Sequence, residues 1–404
     1  MSPDDGKMPV LVVGGGMISA EVVLPTVFQE QARGLLGEIW VATRRAERII
    51  WLHEQLPGCA FKAFPDPVTD GRDAVDADAY QQAIAALPAD GVVVVATPDH
   101  FHTPVIEEAI RTGHHCVVEK PLCLKIDEAR RIRDLARQAG IYVYTDYHKR
   151  HDRAIRAAQK KVRDGALGQM LHGHAWIEER REMPLHWFAN WCEQSSPFEY
   201  IGVHYADAYY FITGLKPKRL VAFGQKKLLP TLGKDAYDTV SATIQWEDDS
   251  VLFIRTGWVC SEHQTALTNQ GLCLMGTEGE YWSDHKDRNT YFCTQQGKFE
   301  HFNPNFFKGH CDWDDPGRVE WVGYGYDSIK QPLDDIRAMQ AATAGMDDAA
   351  ALAKRRDLIA AFEPVRPLPD QALIGTAINE AVRMSFENDS AYVWFDEGMG
   401  VSMR

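Results

Sequence analysis

The chain has 404 residues and carries 43 basic against 57 acidic side chains, a formal net charge of −14 at pH 7. This length predicts two or three domains. A content of 45% hydrophobic and 25% charged residues is typical of a globular protein and excludes a disordered or fibrous one. The acidic balance, without a dense Lys/Arg cluster, argues against nucleic acid or an anionic membrane surface as a partner.

The first residues are polar and acidic, without a basic segment ahead of an apolar one, so we expect no signal peptide. No apolar run reaches the roughly 18 residues that would span a bilayer. The eight cysteines are scattered and form no C-x-x-C pair, which predicts neither a zinc site nor a redox pair. We therefore expect a cytoplasmic protein that holds no metal.

The first 150 residues alternate short apolar runs with helical patterns. The runs, each interpreted as a strand, are 10–13, 39–42, 92–96, 116–118 and 141–144. Continuous apolar runs are typical of parallel strands covered on both faces. Residues 126–139 have apolar side chains at helical spacing, and Gly140 is expected to cap that helix. The alternation predicts an α/β Rossmann domain over residues 1–150.

Longer strand patterns follow after about residue 150. Strands are predicted at 170–178, 219–224, 240–246, 251–258 and 391–395, and helices at 202–213, 327–345 and 369–388. The segment 297–323 is rich in Asn, Pro, Asp, Gly and aromatic residues and is predicted to be a long ordered loop. We expect an α+β domain over residues 151–404 with a large, open, mostly antiparallel sheet, and its helix near 369–388 can pack back on the first domain.

Three glycines follow the first strand and precede a predicted helix. Gly14 permits a tight turn, and Gly16 lets the backbone approach a pyrophosphate bound at the helix N-terminus, where Met17 and Ile18 lie. Ser19 replaces the third glycine of G-x-G-x-x-G and is still small. A glycine turn in this position, between a strand and a helix, predicts a dinucleotide site.

The second strand is followed by Thr43, Arg44 and Arg45, without an acid at its tip. An acid there would bind the ribose of NAD, whereas arginines pair with the oxygens of a 2′-phosphate. We therefore predict NADP as the preferred cofactor, with NAD possible. The alternative is that Arg44 and Arg45 simply begin a solvated helix.

Two more segments end predicted strands, Val-Ala-Thr-Pro-Asp-His-Phe-His at 95–102 and Glu-Lys-Pro at 119–121. Ligands of doubly wound sheets bind beyond the carboxyl ends of the strands, so both segments are expected at the cofactor. Together with the glycine turn, and with Gly-Val-His at 202–204 and Asp207, they resemble the Gfo/Idh/MocA oxidoreductases, the family of glucose–fructose oxidoreductase and inositol dehydrogenase.

The resemblance implies a Rossmann domain joined to an open-sheet domain, and a homo-oligomer such as a dimer or tetramer. It implies hydride transfer between a nicotinamide and a secondary hydroxyl or ketone of a sugar, glycoside or polyol. Lys120 would hydrogen-bond the reacting oxygen and contact the cofactor, Glu119 would lie near the nicotinamide ribose, and His204 would face the substrate. Further cofactor contacts are implied for Thr97, Pro98, His102 and His148.

One position departs from the family pattern. Tyr200, with Glu199 beside it, stands where these dehydrogenases often carry Asp, four residues before His204. Lys120, His204 and Tyr200 are therefore the competing candidates for the catalytic proton carrier. Tyr200 lies one helical turn before His204 and could face the same substrate.

Trp176 belongs to an aromatic and charged segment that suits a sugar ring, or equally a subunit contact. Two rival functions stay open at this point. One is a redox-assisted glycosidase or lyase that retains its cofactor. The other is a non-catalytic regulator that only binds the cofactor.

Overall fold

The structure is a computed structural model that describes residues 7–295 and 299–403. It divides into two units, each built from two stretches of the chain. Unit 1 contains the residues up to His148 together with Phe307–Leu373, and unit 2 contains Lys149–Phe306 together with the residues from Ile374 onwards. Each unit is built around one large sheet.

The first stretch of unit 1 forms a six-stranded parallel sheet in the order β3-β2-β1-β4-β5-β6. Its strands are β1 (Met8–Val13), β2 (Leu36–Ala42), β3 (Lys62–Phe64), β4 (Val92–Val95), β5 (His115–Glu119) and β6 (Val143–Asp146). The helices between them are α1 (Leu24–Ala32), α2 (Ala46–Gln55), α3 (Ala79–Ala86), α4 (His102–Arg111) and α5 (Ile126–Ala139). The strand order reverses between β1 and β4, the point at which such sheets bind ligands. The predicted Rossmann fold is confirmed.

The helix predicted over 126–139 has those bounds as α5. Gly140 follows it with a φ of 63°, the left-handed conformation that glycine adopts without strain. The apolar stripe of α5 is buried in unit 1, at Ile126, Ala129, Ile132 and Ala136. The last strand of this sheet begins at Val143, two residues later than predicted.

Unit 2 begins with α6 (Arg153–Arg163) and contains α7 (Val203–Thr213). Its strands up to residue 301 are β7 (Met170–Arg180), β8 (Pro217–Gln225), β9 (Thr239–Trp246), β10 (Val251–Cys260), β11 (Thr268–Gly276), β12 (Glu280–Asp284), β13 (Tyr291–Cys293) and β14 (Phe299–His301). The helix predicted over 202–213 is confirmed as α7, and Gly214 ends it with a φ of 79°. The five residues before α7 form a π-helical turn, Phe198–Gly202.

The second stretch of unit 1 contributes β15 (Lys308–Cys311), β16 (Val319–Val322), α8 (Tyr324–Thr343) and α9 (Asp348–Phe362). The chain then forms α10 (Pro369–Glu387), β17 (Val393–Phe395) and β18 (Val401–Met403). The last two strands complete the eight-stranded sheet of unit 2, in the order β12-β11-β7-β10-β9-β8-β17-β18. Strands β7 and β10 run parallel and the other neighbours antiparallel, so the predicted mostly antiparallel sheet is confirmed.

The long loop predicted over 297–323 is wrong where the strands β14, β15 and β16 lie, while Gly297 lies outside the described residues. Strand β14 pairs with the preceding β13, and β15 pairs with β16. Strands of three or four residues are too short for an alternating pattern to stand out among turn residues. Helix α9 was missed for a related reason, because its alanines and charged residues form no apolar stripe.

The large sheet of unit 2 has one covered and one exposed face. Ala175 and Ile177 of β7 point to the covered face, and Thr256 of β10 packs there against the turn Phe198–Gly202. Phe253 and Trp282 point the other way and are 39% and 72% exposed. On this second face the His174 ring stacks on Phe253 at 4.7 Å and the rings of Trp176 and Trp282 lie 6.0 Å apart.

A buried ion pair fixes α7 to the beginning of unit 2. The Arg150 guanidinium donates two hydrogen bonds to the Asp207 carboxylate, at 2.8 and 2.5 Å. Both side chains are buried, and a buried charge is tolerated when a partner and hydrogen bonds compensate for its lost hydration. The pair therefore holds α7, which carries His204, in a fixed place within unit 2.

Candidate active site

The glycine turn after β1 is shaped by close backbone contacts. Gly14 has a φ of +118°, and a Cβ on it would lie 2.2 Å from the Ala96 carbonyl oxygen. Its N–H donates to the Ala42 carbonyl at 2.8 Å, so the turn connects the ends of β1, β2 and β4. A Cβ on Gly16, in contrast, would meet no atom within 4 Å. The backbone at Gly16 therefore borders open space into which a ligand could fit.

Ser19 closes the glycine turn in place of the third glycine. Its hydroxyl donates to the Gly14 carbonyl at 2.9 Å, and its side chain is buried. Met17 and Ile18, which are half-buried, begin the helical segment, and a π-helical turn over Ser19–Val23 leads into α1. A helix N-terminus with a glycine beside open space fits the pyrophosphate of a dinucleotide, because its backbone N–H groups and dipole favour negative charge.

Three arginines follow β2. Arg44 and Arg45 are exposed, while the Thr43 hydroxyl is used internally and donates to the Arg45 carbonyl at 2.8 Å. Arg48, which sequence reasoning missed, donates from Nε and Nη2 to the Gly15 carbonyl at 3.1 and 2.6 Å. The signal available for Arg48 was its position in the first turn of α2, the helix that follows the strand.

His102 connects the two loops that end β4 and β5. Its Nδ1 lies 2.8 Å from the Pro121 carbonyl and its Nε2 lies 2.9 Å from the Thr97 carbonyl. Burial lowers the pKa of His102, against the opposing effect of Asp99 and of these carbonyls. The ring thus holds the backbone of both loops. Within the described part of the chain, the buried Thr97 hydroxyl has no hydrogen-bond partner.

Lys120 follows β5 directly and is 8% exposed, and the peptide bond to Pro121 is cis. Three carboxyl groups act on it electrostatically, those of Asp99, Glu119 and Asp146. Burial raises the pKa of all three, to about 7 for Asp146 and well above the usual value for Glu119. The ends of β4, β5 and β6 therefore concentrate ionisable groups around one lysine.

Pro98 and His148 complete the predicted set of unit 1. Pro98 is exposed in the loop after β4. His148 follows β6, is half-buried, and its ring centroid lies 5.7 Å from that of Tyr324 at the beginning of α8. The structure thus brings the predicted cofactor residues of unit 1 to the carboxyl ends of its strands.

Tyr200 and His204 lie on consecutive helical turns in unit 2. His204 is the second residue of α7 and is buried. Tyr200 belongs to the preceding π-helical turn, and its ring lies 5.0, 5.3 and 6.2 Å from those of Phe188, Trp191 and Trp258. The tyrosine is therefore held in an aromatic cluster.

Glu199 does not replace the aspartate of the family pattern, whose position Tyr200 occupies in this chain. Arg383 of α10 donates to both oxygens of the Glu199 carboxylate, at 2.6 and 2.5 Å. The Asn379 amide donates to the Glu199 carbonyl at 3.2 Å. Glu199 therefore anchors the turn that carries Tyr200. Nothing in the local sequence signals this role, because the partner lies 184 residues away.

The structure does not bring Trp176 together with Tyr200 and His204. Trp176 lies on the exposed face of the large sheet, where its ring packs over Gly271, whereas α7 packs on the opposite face. The period-2 alternation of β7 placed Trp176 on one face, but the sequence did not indicate which face helices cover.

Lys149 is a buried lysine that is not among the site residues predicted from the sequence. Its Nζ donates to the Gln270 side-chain oxygen at 2.5 Å and lies 4.8 Å from the Tyr205 ring centroid. The Tyr205 hydroxyl lies 2.9 Å from Nδ1 of His285. Burial lowers the pKa of Lys149 to about 7, with Asp152 opposing this effect. This polar cluster lies within unit 2, beside α7.

Among residues 7–295 and 299–403, no group of three or more His, Cys, Asp and Glu side chains could hold a metal ion. All eight cysteines have free thiols, and two of them, Cys293 and Cys311, are exposed. In the same part of the chain, every helix is too short or too polar to cross a membrane.

Solved structures with the same fold include a scyllo-inositol dehydrogenase from Lactobacillus casei with bound NAD(H) and scyllo-inositol. The match has a TM-score of 0.63 at 15% identity and covers 96% of this chain and 99% of that one. Identity this low shows a shared fold alone.

Two curated relatives match about half of this chain. The D-glucoside 3-dehydrogenase of Escherichia coli is 25% identical over 211 residues, which are 48% of this chain and 60% of the relative. The 1,5-anhydro-D-fructose reductase of Ensifer adhaerens is 26% identical over 200 residues, 46% of this chain and 55% of the relative. The matches therefore span less than two thirds of either relative.

Profiles of one protein family match both parts of the chain. The profile described as "Oxidoreductase family, NAD-binding Rossmann fold" matches residues 8–147, and that described as "GFO/IDH/MocA C-terminal domain" matches residues 155–282. The first covers β1 to β6 with the glycine turn and Lys120, and the second covers α7 and most of the large sheet. The chain belongs to the Gfo/Idh/MocA family of NAD-binding oxidoreductases.

Proposed function

We propose that the protein is a dehydrogenase or reductase that transfers hydride between NADP(H) and a secondary hydroxyl or ketone of a sugar, glycoside or polyol. One observation carries the proposal. In unit 1, a glycine turn with open space at Gly16 and a buried lysine, Lys120, both lie at the carboxyl ends of the parallel strands. The names of the two curated relatives support a carbohydrate substrate.

The cofactor supplies or accepts the hydride when it is bound. Gly14, Gly16, Met17 and Ile18 would bind its pyrophosphate, and Thr97, Pro98, Glu119 and His148 would lie along its nicotinamide half. His102 would act on the cofactor through the Thr97 loop, since both of its ring nitrogens contact backbone carbonyls. Lys120 would hydrogen-bond the reacting oxygen and take its proton during alcohol oxidation.

In unit 2, His204 and Tyr200 would bind the substrate. The His204 imidazole can donate or accept a hydrogen bond, and the Tyr200 phenol can donate one. The aromatic cluster around Tyr200 and the pairing of Glu199 with Arg383 fix the position of the phenol. A fixed donor is what orientation of a hydroxyl-rich ring requires.

Exposed arginines support NADP over NAD. Arg44 and Arg45 can pair with a 2′-phosphate, and the carbonyl that Arg48 contacts belongs to the glycine turn itself. NAD-binding proteins of this fold usually carry an acid at the tip of β2, where it binds the ribose hydroxyls. In this sequence β2 is followed by Thr43, Arg44 and Arg45 instead.

We also propose that the protein is a cytoplasmic homo-oligomer assembled through unit 2. The exposed face of the large sheet supports the oligomer, because it carries Phe253 and the neighbouring rings of Trp176 and Trp282. Exposed aromatic groups of this kind are typical of interfaces. Trp176 is then better suited to a subunit contact than to the substrate.

The glycine turn gives a first test, with two matched variants. Gly14→Ala would place a Cβ against the Ala96 carbonyl and force a strained φ, so we expect a lower unfolding temperature as well as weaker cofactor binding. Gly16→Ala has room in the unliganded protein, so we expect normal stability but at least about 10-fold weaker cofactor binding. Calorimetry and thermal unfolding measure both. Unchanged cofactor affinity in Gly16→Ala would contradict the pyrophosphate site.

Cofactor choice gives a second test. We expect NADPH to bind more tightly than NADH in isothermal titration calorimetry, and the double variant Arg44→Ala/Arg45→Ala to lose that preference, because its guanidinium partners for the 2′-phosphate are gone. Arg130→Ala on α5, whose side chain is 33% exposed and pairs with Asp127, serves as the control for loss of positive charge. Tighter binding of NADH to the unaltered protein would overturn this part of the proposal.

Lys120 gives a third test. If its amine interacts with the reacting oxygen most strongly in the transition state, Lys120→Ala should lower turnover by about 10²–10⁴-fold and leave the cofactor dissociation constant nearly unchanged. Lys125→Ala, an exposed lysine five residues away, is the control. Near-normal turnover at saturation, combined with weak cofactor binding, would assign Lys120 to the cofactor alone.

Assembly gives a fourth test. Light scattering at micromolar concentration should report a multiple of the 45.5 kDa monomer mass, and Trp282→Glu should shift it toward the monomer by placing a charge on the exposed sheet face. A mass near 45.5 kDa for the unaltered protein would refute the assembly.

A further inference from the structure

Glu119 and Asp146 end neighbouring strands and stand side by side. They are register partners in the parallel pair of β5 and β6, and both are buried. Neighbouring strands lie about 4.8 Å apart, and register partners point to the same face of a sheet. The two carboxyl groups are therefore adjacent, and Lys120 is the next residue along β5.

The two carboxyl groups have few hydrogen-bond donors around them. Within the described part of the chain, Oε1 of Glu119 and Oδ1 of Asp146 are buried and have no hydrogen-bond partner. Two ionised carboxylates in such surroundings would repel one another without solvent to screen them. Two carboxyl groups that hold one proton between them avoid this repulsion, because one then donates a hydrogen bond to the other.

The charged and titratable groups that face this pair come from several elements of unit 1. Lys120 is the cation beside it, and Asp99, which has His100 and His102 around it, adds a third negative group. Ser328 of α8 lies near Asp146 and acts to lower its pKa, while its hydroxyl donates to the Gly325 carbonyl at 3.0 Å. Burial, then the Asp146 charge, raise the pKa of Glu119, and burial raises that of Asp146 to about 7. These directions agree with a proton retained at neutral pH.

We propose that Glu119 and Asp146 share one proton and act together as the proton acceptor behind Lys120 during alcohol oxidation. The inference rests on the proposed function, since it needs a substrate hydroxyl whose proton Lys120 receives. Asp146 is in this scheme a positioning residue that acts through Glu119 and Lys120. It is absent from the site residues that the sequence predicted.

The proton balance of the step is simple. The substrate C–H bond would break and its hydride would pass to the oxidised nicotinamide, which is the only group reduced. The hydroxyl proton would pass to Lys120 as the Lys120 ammonium gives one of its own protons to the carboxyl pair, so Lys120 keeps its charge. The pair would change from one shared proton and one negative charge to two protons and no charge, and it would return one proton to water after the ketone has left.

The pH profile of turnover distinguishes this role from a structural one. Oxidation should slow as pH falls through the range in which the pair gains its second proton. In Asp146→Asn, the charged Glu119 carboxylate loses the hydrogen bond that the protonated Asp146 carboxyl donates to it, so this acid limb should move to higher pH by about one unit or more. A purely structural role for Asp146 would lower turnover at every pH and leave the limb in place.

Asp335→Asn is the matched control. Asp335 is also a buried carboxylate of unit 1, but it pairs with Arg366 and with the Tyr142 hydroxyl. We expect this variant to lose stability and to keep the acid limb where it is. An acid limb that stays in place in both Asp146→Asn and Glu119→Gln would overturn the proposal.

A second measurement needs no substrate. Because Asp146 has a pKa of about 7 in the folded protein and 3.8 ordinarily, the native state binds more protons between these values, and stability should fall as pH rises from about 4 to 7. Asp146→Asn should remove part of that fall, as measured by the denaturant midpoint at several pH values. An identical pH dependence in both proteins would refute the shared proton. If the unaltered protein oxidises no sugar or polyol, the proposed function fails, and this measurement still decides the state of the pair.

Discussion

Parallel strands end at one edge of a sheet, and the chemistry of unit 1 depends on that constraint. Strands β4, β5 and β6 are paired in register, so the residues that follow them, with Thr97, Lys120 and His148 among them, are brought together by the backbone alone. His102 adds a cross-link, because its two ring nitrogens contact the carbonyls of Thr97 and Pro121. The positions of the ionisable groups are thus set by hydrogen-bonded strands, which move little. A site built in this way is preorganised, and preorganised charges need no rearrangement when a reaction develops new charge.

Buried carboxyl groups are used in two different ways. In unit 2, Arg150 pairs with Asp207 and Arg383 with Glu199, so these two buried carboxylates are matched by guanidinium groups and serve to fix α7 and the turn before it. In unit 1, the carboxyl groups at the ends of β5 and β6 face a single lysine and lack enough donors to stay ionised together. The first arrangement stabilises positions, because removal of either partner leaves an uncompensated charge. The second leaves protons free to move, as acid–base chemistry requires.

Much of the fold and part of the site could be predicted from the sequence. The apolar run 92–95 forms a strand and the amphipathic pattern of 126–139 forms α5, as predicted. In both segments the local sequence pattern agrees with the packing of the folded protein. The glycine turn and Lys120 could be found because each follows a strand at a recognisable spacing. The strands β14 to β16 could not, since three or four residues give no periodic pattern.

Residues that act through distant partners were also beyond the sequence. Glu199 owes its role to Arg383, and Asp146 owes its role to a register partner on β5 and to Ser328 on α8. The residues next to Glu199 and Asp146 in the sequence do not indicate either of these contacts. Trp176 illustrates a third limit, because alternation assigns a side chain to one of two faces without telling which face is covered.

Isotope transfer is the most direct test of hydride movement between a carbohydrate C–H bond and the nicotinamide. A panel of sugars, glycosides and polyols carrying deuterium on their carbinol carbons would be incubated with oxidised NADP, and the cofactor would be analysed by mass spectrometry. We expect the released, reduced cofactor to contain one deuterium per ketone formed. Conversion of a glycoside with no label in the released cofactor would instead indicate a retained cofactor that returns the hydride. Cofactor binding without any conversion across the panel would contradict the proposed hydride transfer.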